Sequence, residues 1–352
     1  MFVFFVAFLM LPIIHLITLK MRNKKKGRIY ETIFCFIILW LIQGLRHEDI
    51  GVDWYIAYRP FFENLDVSNF SLDGVNFGFE PGFVILSKFI KFFISTNPQI
   101  YALICSLLFI APIAYLFYKY SPNISFSFLI FGTMIIYHFG FSGIRQAIAI
   151  GITAISFNYV LKRKLLPFLI IVLLASAIHT SAFMFIITYP IFCYMKLDRR
   201  RLIILMAVFS IMITFLKPIA EMALNVLFIG DVYSNKLNQA EESPSYNMII
   251  IFLSILFFSY SGKDSRKILP YRGLLFFMTA FQTLALITTT GARMAYYFIP
   301  YVCLVLPMIL EGYNRNMRII VSTGIGAFLI FFFIYVNGGG YLDVIPYKFF
   351  WE

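Results

Sequence analysis

The stretch FSGIRQAIAIGITAISFNYVLKRKLLPFLIIVLLASAIHTSAF, residues 141–183, sets the reading of the whole chain. Two apolar runs, 143–161 and 165–178, flank the basic knot Lys162-Arg163-Lys164, and each run carries one basic group at its other end, Arg145 and His179. An arginine at the bilayer centre costs about 2.5–3.5 kcal/mol on insertion scales. Both residues are therefore expected to face a polar cavity or an anionic partner.

Outward from this stretch the pattern repeats. The 352 residues are 61% hydrophobic and only 13% charged, against about 25% charged in an ordinary soluble domain. About a dozen apolar runs of roughly 15–20 residues alternate with short basic clusters, which a single soluble core could not absorb. The fold class expected is all-α: a polytopic transmembrane helical bundle of about 12 spans, forming one membrane domain over residues 1–352. The net charge of +12 does not gather on one face or tail but punctuates the runs as KMRNKKKGR, LKRKL, KLDRRR and GKDSRK, a topology signal rather than a nucleic-acid surface. Cys35, Cys105, Cys193 and Cys303 fall inside apolar runs with no metal-binding spacing, so neither a disulfide nor a metal site is expected.

Residues 2–19 read as a retained first span, followed by the basic cluster, and Tyr30 to Leu45 as the second. Residues 46–99 then form an extracytoplasmic loop, whose segment PGFVILSKFIKFFISTN bears Ser87, Lys88, Lys91 and Ser95 at helical spacing and reads as an interfacial helix. The later spans fall at about 100–118, 124–141, 143–161, 165–178, 180–195, 202–217, 248–261, 271–290, 294–311 and 318–337. A second outer loop occupies 217–247. With both termini outside, 20 of the 29 basic residues lie on the cytoplasmic side, which is the bias that sets orientation.

Fourteen residues of helix from Leu165 to Ile178 rise about 21 Å, short of a hydrocarbon thickness of about 30 Å. His179 is thereby expected in a dent below the outer headgroups, unless it is a core histidine bonded to a neighbouring helix. Arg145 and Arg293, in TTTGARMAYYF, are placed near the same face, and with His179 they form a cationic cluster without matching intramembrane acids, suited to a phosphorylated ligand. The alternative for each arginine is that it snorkels to the interface. In the first loop Arg46, His47, Asp53, Tyr58 and Glu80 are the polar residues singled out: carboxylates could serve as general base, and aromatics could stack on sugar rings.

The series GLRHEDIGVDWYIAY, FEPGFVILSKFI, FSGIRQAIAIGI, LLASAIHTSAFMF and GARMAYYF resembles the EpsG/Wzy-type bacterial polysaccharide polymerases, most fully over residues 44–190. Here Trp54 separates Asp53 from Tyr55 where the family's common pattern is Asp-Tyr. The resemblance implies a GT-C-like inner-membrane glycosyltransferase that joins oligosaccharide repeat units carried on undecaprenyl diphosphate at the outer, periplasmic face. Carried over by position, Arg145 and Arg293 would hold the diphosphate, and His179, Asp53 and Glu80 would supply catalytic groups. Arg46, His47, Tyr58 and Gln146 would line the sugar entrance. No cofactor is implied; the expected partners are the lipid-linked oligosaccharide, the bilayer and, as a further candidate, a chain-length regulator. The rival readings are an O-antigen ligase, a single-sugar transferase on the same carrier, and a flippase for lipid-linked oligosaccharides.

Overall fold

The computed structural model describes residues 1–68, 78–209, 211, 245–260, 265–285, 289–338 and 343–352, and among these the regular elements are all helices, with no strand. Most of the expected second outer loop, 217–247, lies outside the described residues. Six helical stretches are long and apolar enough to cross a membrane: Phe2–Leu19, Lys24–Gly44, Pro98–Tyr120, Ile144–Leu161, Gly291–Glu311 and Arg315–Gly338. Ile124–Thr133 and Ile135–Ser142 make a seventh if taken together; they bend by 58° at Met134, whose backbone is extended. Three shorter apolar helices, Leu165–Ile178, Thr180–Tyr194 and Asn247–Phe258, have 10–17 residues. The protein is thus an all-helical membrane protein with six to seven span-length helices among its described residues.

Packing divides the chain into two compact units. The first, Met1–Ile186 with Asn314–Glu352, contains α1 (Phe2–Leu19), α2 (Lys24–Gly44), α3 (Arg59–Asn64), α4 (Pro81–Phe93), α5 (Pro98–Tyr120), α6 (Ile124–Thr133), α7 (Ile135–Ser142), α8 (Ile144–Leu161) and α9 (Leu165–Ile178). Helix starts follow their capping chemistry. Asn23, Asn97 and Asn123 accept from Lys26, Gln99 and Phe126 amides at 3.0, 2.7 and 3.0 Å, and Pro98 occupies the first turn of α5, where a missing N–H costs nothing. Helices α2, α5, α8 and α9 pack in succession, and α1 is tied to α2 and α6 by a sealed polar knot. In that knot Glu31 accepts from His15 Nδ1 at 2.8 Å and from the Ser125 amide and hydroxyl at 2.9 and 2.8 Å.

The first loop folds onto this stack as an aromatic plug. Trp54, Phe61, Phe62, Phe79, Phe83 and Tyr101 are buried together, with Phe62 stacked on Tyr101 at 4.0 Å. Lys91 on α4 donates to the carbonyls of Phe62, Glu63 and Leu65 at 2.8–2.9 Å, supplying partners to orphan groups at the end of α3. The chain's last residues return to the root of the loop. Arg46 bridges Phe349, the His47 amide donates to Lys348 at 2.9 Å, and the Phe350 amide donates to Leu45 at 2.9 Å.

The second unit, Ile187–Tyr313, holds α10 (Thr188–Tyr194), α11 (Ser245–Phe258), α12 (Ser265–Leu284), α13 (Thr289–Ala295) and α14 (Ile299–Glu311). Its core is apolar, and Arg272 is accommodated by stacking 3.7 Å over Tyr260 while donating to the Ser259 carbonyl at 2.9 Å. The last helix, α15 (Arg315–Gly338), belongs to the first unit and packs on α6. Cys35, Cys105 and Cys303 are buried free thiols.

Candidate functional site

Three segments distant in sequence meet on one carboxylate. Glu80 is the residue before α4, yet its side chain does not cap its own helix. It turns instead to the place where α9 ends. One oxygen, Oε1, accepts from His179 Nδ1 at 2.7 Å and from the Thr180 amide at 3.1 Å, with the Thr180 hydroxyl at 3.4 Å. The other oxygen, Oε2, accepts from Arg145 Nη1 in a short ion pair. All three side chains are largely covered, at 12%, 20% and 17% exposure for Glu80, Arg145 and His179.

The sequence around each residue explains why they meet. The turn Lys162–Lys164 makes α8 and α9 an antiparallel hairpin, so the start of α8, where Arg145 is the second residue, lies on the same side as the end of α9, where His179 is the capping residue. Helix α4 then docks onto α9 through Gly82: a Cβ there would stand 2.5 Å from the Ala177 carbonyl oxygen, so only glycine permits this approach. In EPGF, therefore, Pro81 opens the helix, Gly82 allows contact, and Glu80 is delivered to His179.

Aromatic groups complete the surroundings of Arg145. Its guanidinium lies 4.5 Å from the centre of the Phe79 ring, its Nε donates to the Tyr58 hydroxyl at 3.3 Å, and its Nη1 also reaches the Gly78 carbonyl at 3.4 Å. Tyr58 stacks on Phe79 at 5.4 Å. These contacts fix the plane of the guanidinium while the carboxylate fixes one end of it.

Burial alone would raise the Glu80 carboxyl. The hydrogen bonds from His179 and the Thr180 amide, together with the Arg145 charge, outweigh it and bring the group down to about 2. Glu80 is consequently an anion at any neutral pH. A carboxylate can only accept, so His179 Nδ1 carries a proton, and in the neutral imidazole Nε2 is then the ring's acceptor. This is the arrangement that orients an imidazole as a proton acceptor: a fixed carboxylate behind, a free lone pair in front.

The other residues expected at the site fall as follows. Asp53 is half-buried at the start of the π-helical turn Trp54–Tyr58, its amide donating to the Ser142 hydroxyl at 3.0 Å. Gln146 is buried beside Arg145 in sequence. Arg46 is only 1% exposed, packed 4.6 Å over Trp54 and 5.6 Å from Phe141, with Nη1 on the Gln43 carbonyl at 2.8 Å. His47 is half-buried and pairs with Asp49 at 3.2 Å. Arg293 is exposed in the last turn of α13, in the second unit.

The expected cluster has no matching intramembrane acid; the carboxylate that holds Arg145 and His179 at once is Glu80, from the first loop. A loop carboxylate reached them because α4 docks back on α9, which sequence position alone did not reveal. Arg46, expected at a sugar entrance, lies beneath the returning chain end. Thr180, Phe79 and Gly82 were not singled out in the sequence. A threonine immediately after a helix-ending histidine was the available signal for the first, and the Glu-Pro-Gly run for the last. Among the described residues no three His, Cys, Asp or Glu side chains gather as a metal would require.

A family model described as the EpsG family matches residues 28–349, which include every element of this site. No curated protein and no solved structure matches the chain.

Proposed function

Since the chain belongs to the EpsG family of Wzy-type polysaccharide polymerases, we propose that it elongates a polysaccharide by glycosyl transfer from undecaprenyl-diphosphate-linked repeat units, with Glu80, Arg145 and His179 at the reacting centre. The observation that carries this reading is the single carboxylate holding an arginine on one oxygen and an imidazole on the other.

In this reading the acceptor sugar's hydroxyl lies against His179 Nε2, which takes its proton as the oxygen attacks C1 of the donor sugar. The C1–oxygen bond to the diphosphate breaks in the same step, and the departing negative charge is met by Arg145. Glu80 stabilises the imidazolium that forms, and Asp53, His47 and Tyr58 on the first loop border the sugars. The apolar carrier lies against the lipid-exposed helices.

The membrane placement proposed is 12 crossings with both termini outside, which puts the site at the outer face of the cytoplasmic membrane. Helix α4 supports this. It buries Ser87 and Lys88 against the protein and turns Ile85, Phe89, Phe92 and Phe93 outward, an inverted amphipathy suited to lying in the membrane surface with its apolar face toward hydrocarbon.

The test is elongation by the purified full chain supplied with lipid-linked repeat units and no other acceptor. A ladder of polymer lengths that is lost in His179→Gln supports the polymerase. A ligase would produce nothing until a second acceptor is added, and a flippase would form no glycosidic bond.

A further inference from the structure

Helix α8 carries a basic residue at each end. Arg145 stands at its start, and about 25 Å away along the axis Lys162 follows its last turn, on the opposite side of the bundle. Between these ends α8 crosses α5 at Gly151, where a Cβ would stand 2.6 Å from the Leu108 carbonyl oxygen. That carbonyl lies four residues before Pro112, whose missing N–H leaves it without its helical partner. Beyond the crossing the two helices leave a groove of about 470 Å³. Its walls are Leu107, Ala111, Pro112 and Ile155, and Lys119 and Lys162 stand at its far end.

Lys119 is held in place rather than free to wander. Its Nζ donates to the side-chain oxygen of buried Asn158 at 2.6 Å and to the Tyr115 hydroxyl at 3.2 Å, and the Tyr120 hydroxyl anchors the same Asn158 oxygen at 2.6 Å. Every one of these partners is neutral. The groove therefore offers an apolar slot ending in two cations, one pre-positioned, and no carboxylate lines it. Basic pockets between membrane helices bind anionic lipid headgroups on this principle.

We propose that this groove is a binding site for one anionic phospholipid of the leaflet opposite the Glu80 site, an acyl chain lying along Leu107, Ala111 and Ile155 and the phosphate on Lys119 and Lys162. The proposal is independent of the polymerase reading, since it uses neither Glu80, Arg145 nor His179.

The full chain is reconstituted in phosphatidylcholine bilayers containing a trace of spin-labelled phosphatidylglycerol or, separately, spin-labelled phosphatidylcholine, and the motionally restricted fraction of each is measured. The expected result is a preference for phosphatidylglycerol of roughly thirtyfold, in line with two near-surface lysines, which collapses to near unity in K119Q/K162Q and survives in K119R/K162R. Ile155→Trp, which fills the slot and leaves both lysines in place, is expected to remove the preference as well. An equal preference in wild type and K119Q/K162Q overturns the proposal. So does a preference that Ile155→Trp leaves intact, because that would locate it in the general basic surface.

Discussion

Replacing Glu80 by glutamine tests the site most directly, because the two side chains differ by one oxygen for one amide nitrogen. Glu80 accepts from donors on both sides: His179 and Thr180 on Oε1, Arg145 on Oε2. Glutamine has one carbonyl, so whichever side receives it, the amide NH₂ meets a donor on the other. At least one charge-assisted hydrogen bond is lost, worth about 1.5–3 kcal/mol, and the site keeps one uncompensated cation. If the NH₂ faces His179, the imidazole must accept at Nδ1 and carry its proton on Nε2, where it cannot take one from the acceptor sugar. Amide replacement of a carboxylate that orients a catalytic histidine lowers kcat by up to about 10⁴, and general-base catalysis as a whole contributes about 10²–10⁴. The expectation for E80Q is therefore a folded protein, destabilised by about 2 kcal/mol, whose elongation rate falls by at least about 10². The assay is turnover of labelled lipid-linked repeat units by purified wild type and variant at equal folded concentration, with thermal unfolding in the same detergent. Elongation within threefold of wild type would refute the argument, since no arrangement of a glutamine satisfies all the donors.

Other predictions follow from neighbouring contacts. The folded Glu80 carboxyl titrates near 2 against an ordinary 4.5, so the stability it contributes is complete above about pH 4.5 and disappears as the pH falls toward 2. The unfolding-temperature gap between wild type and E80Q should thus narrow as the pH falls from 4.5 toward 2; a gap that stays constant or widens over that range would contradict the ion pair. Gly82→Ala should cost about 1–3 kcal/mol by forcing α4 off the Ala177 carbonyl, and should depress elongation beyond the loss of folded protein because it displaces Glu80. Lys91→Met removes the donor to three carbonyls at the end of α3, and is expected to lower stability by about 1–3 kcal/mol and to speed proteolysis within residues 46–68. Arg145→Lys keeps the charge but not the planar fork that serves Tyr58, Gly78 and Glu80 together, and should lose at least tenfold in elongation while unfolding near the wild-type temperature.

Two stretches were legible from hydropathy: the apolar run 165–178 is α9 to the residue, and the 3₁₀ turn and α10 together fill 180–194 of the expected 180–195. Burial cost was a sound guide to Arg145 and His179, because an ionisable group at the end of an apolar helix requires a partner. Which partner was not legible. Glu80 is 65 residues from Arg145 and 99 from His179, and the contact depends on a glycine-sized gap between α4 and α9 that no periodicity encodes. The polar stripe on α4 was visible, but not its direction: Ser87 and Lys88 are buried against the protein, where the Ser87 hydroxyl meets that of Tyr101 at 2.8 Å. The surroundings of Arg46 were illegible for a similar reason, since its aromatic cover comes from Trp54 and Phe141 and its backbone bridge from Phe349.

The sealed knot of Glu31, His15 and Ser125 repeats, in its hydrogen bonds, the trio of Glu80, His179 and Thr180. In each, one glutamate oxygen serves an imidazole Nδ1, a backbone amide and a hydroxyl. A mutational scan scored by surviving polysaccharide would rank both glutamates as intolerant and would not tell a hinge pin from an engine part. Separating them requires counting correctly assembled molecules alongside product. Loss at Glu31 should follow the number of molecules, whereas loss at Glu80 should persist in every molecule that remains.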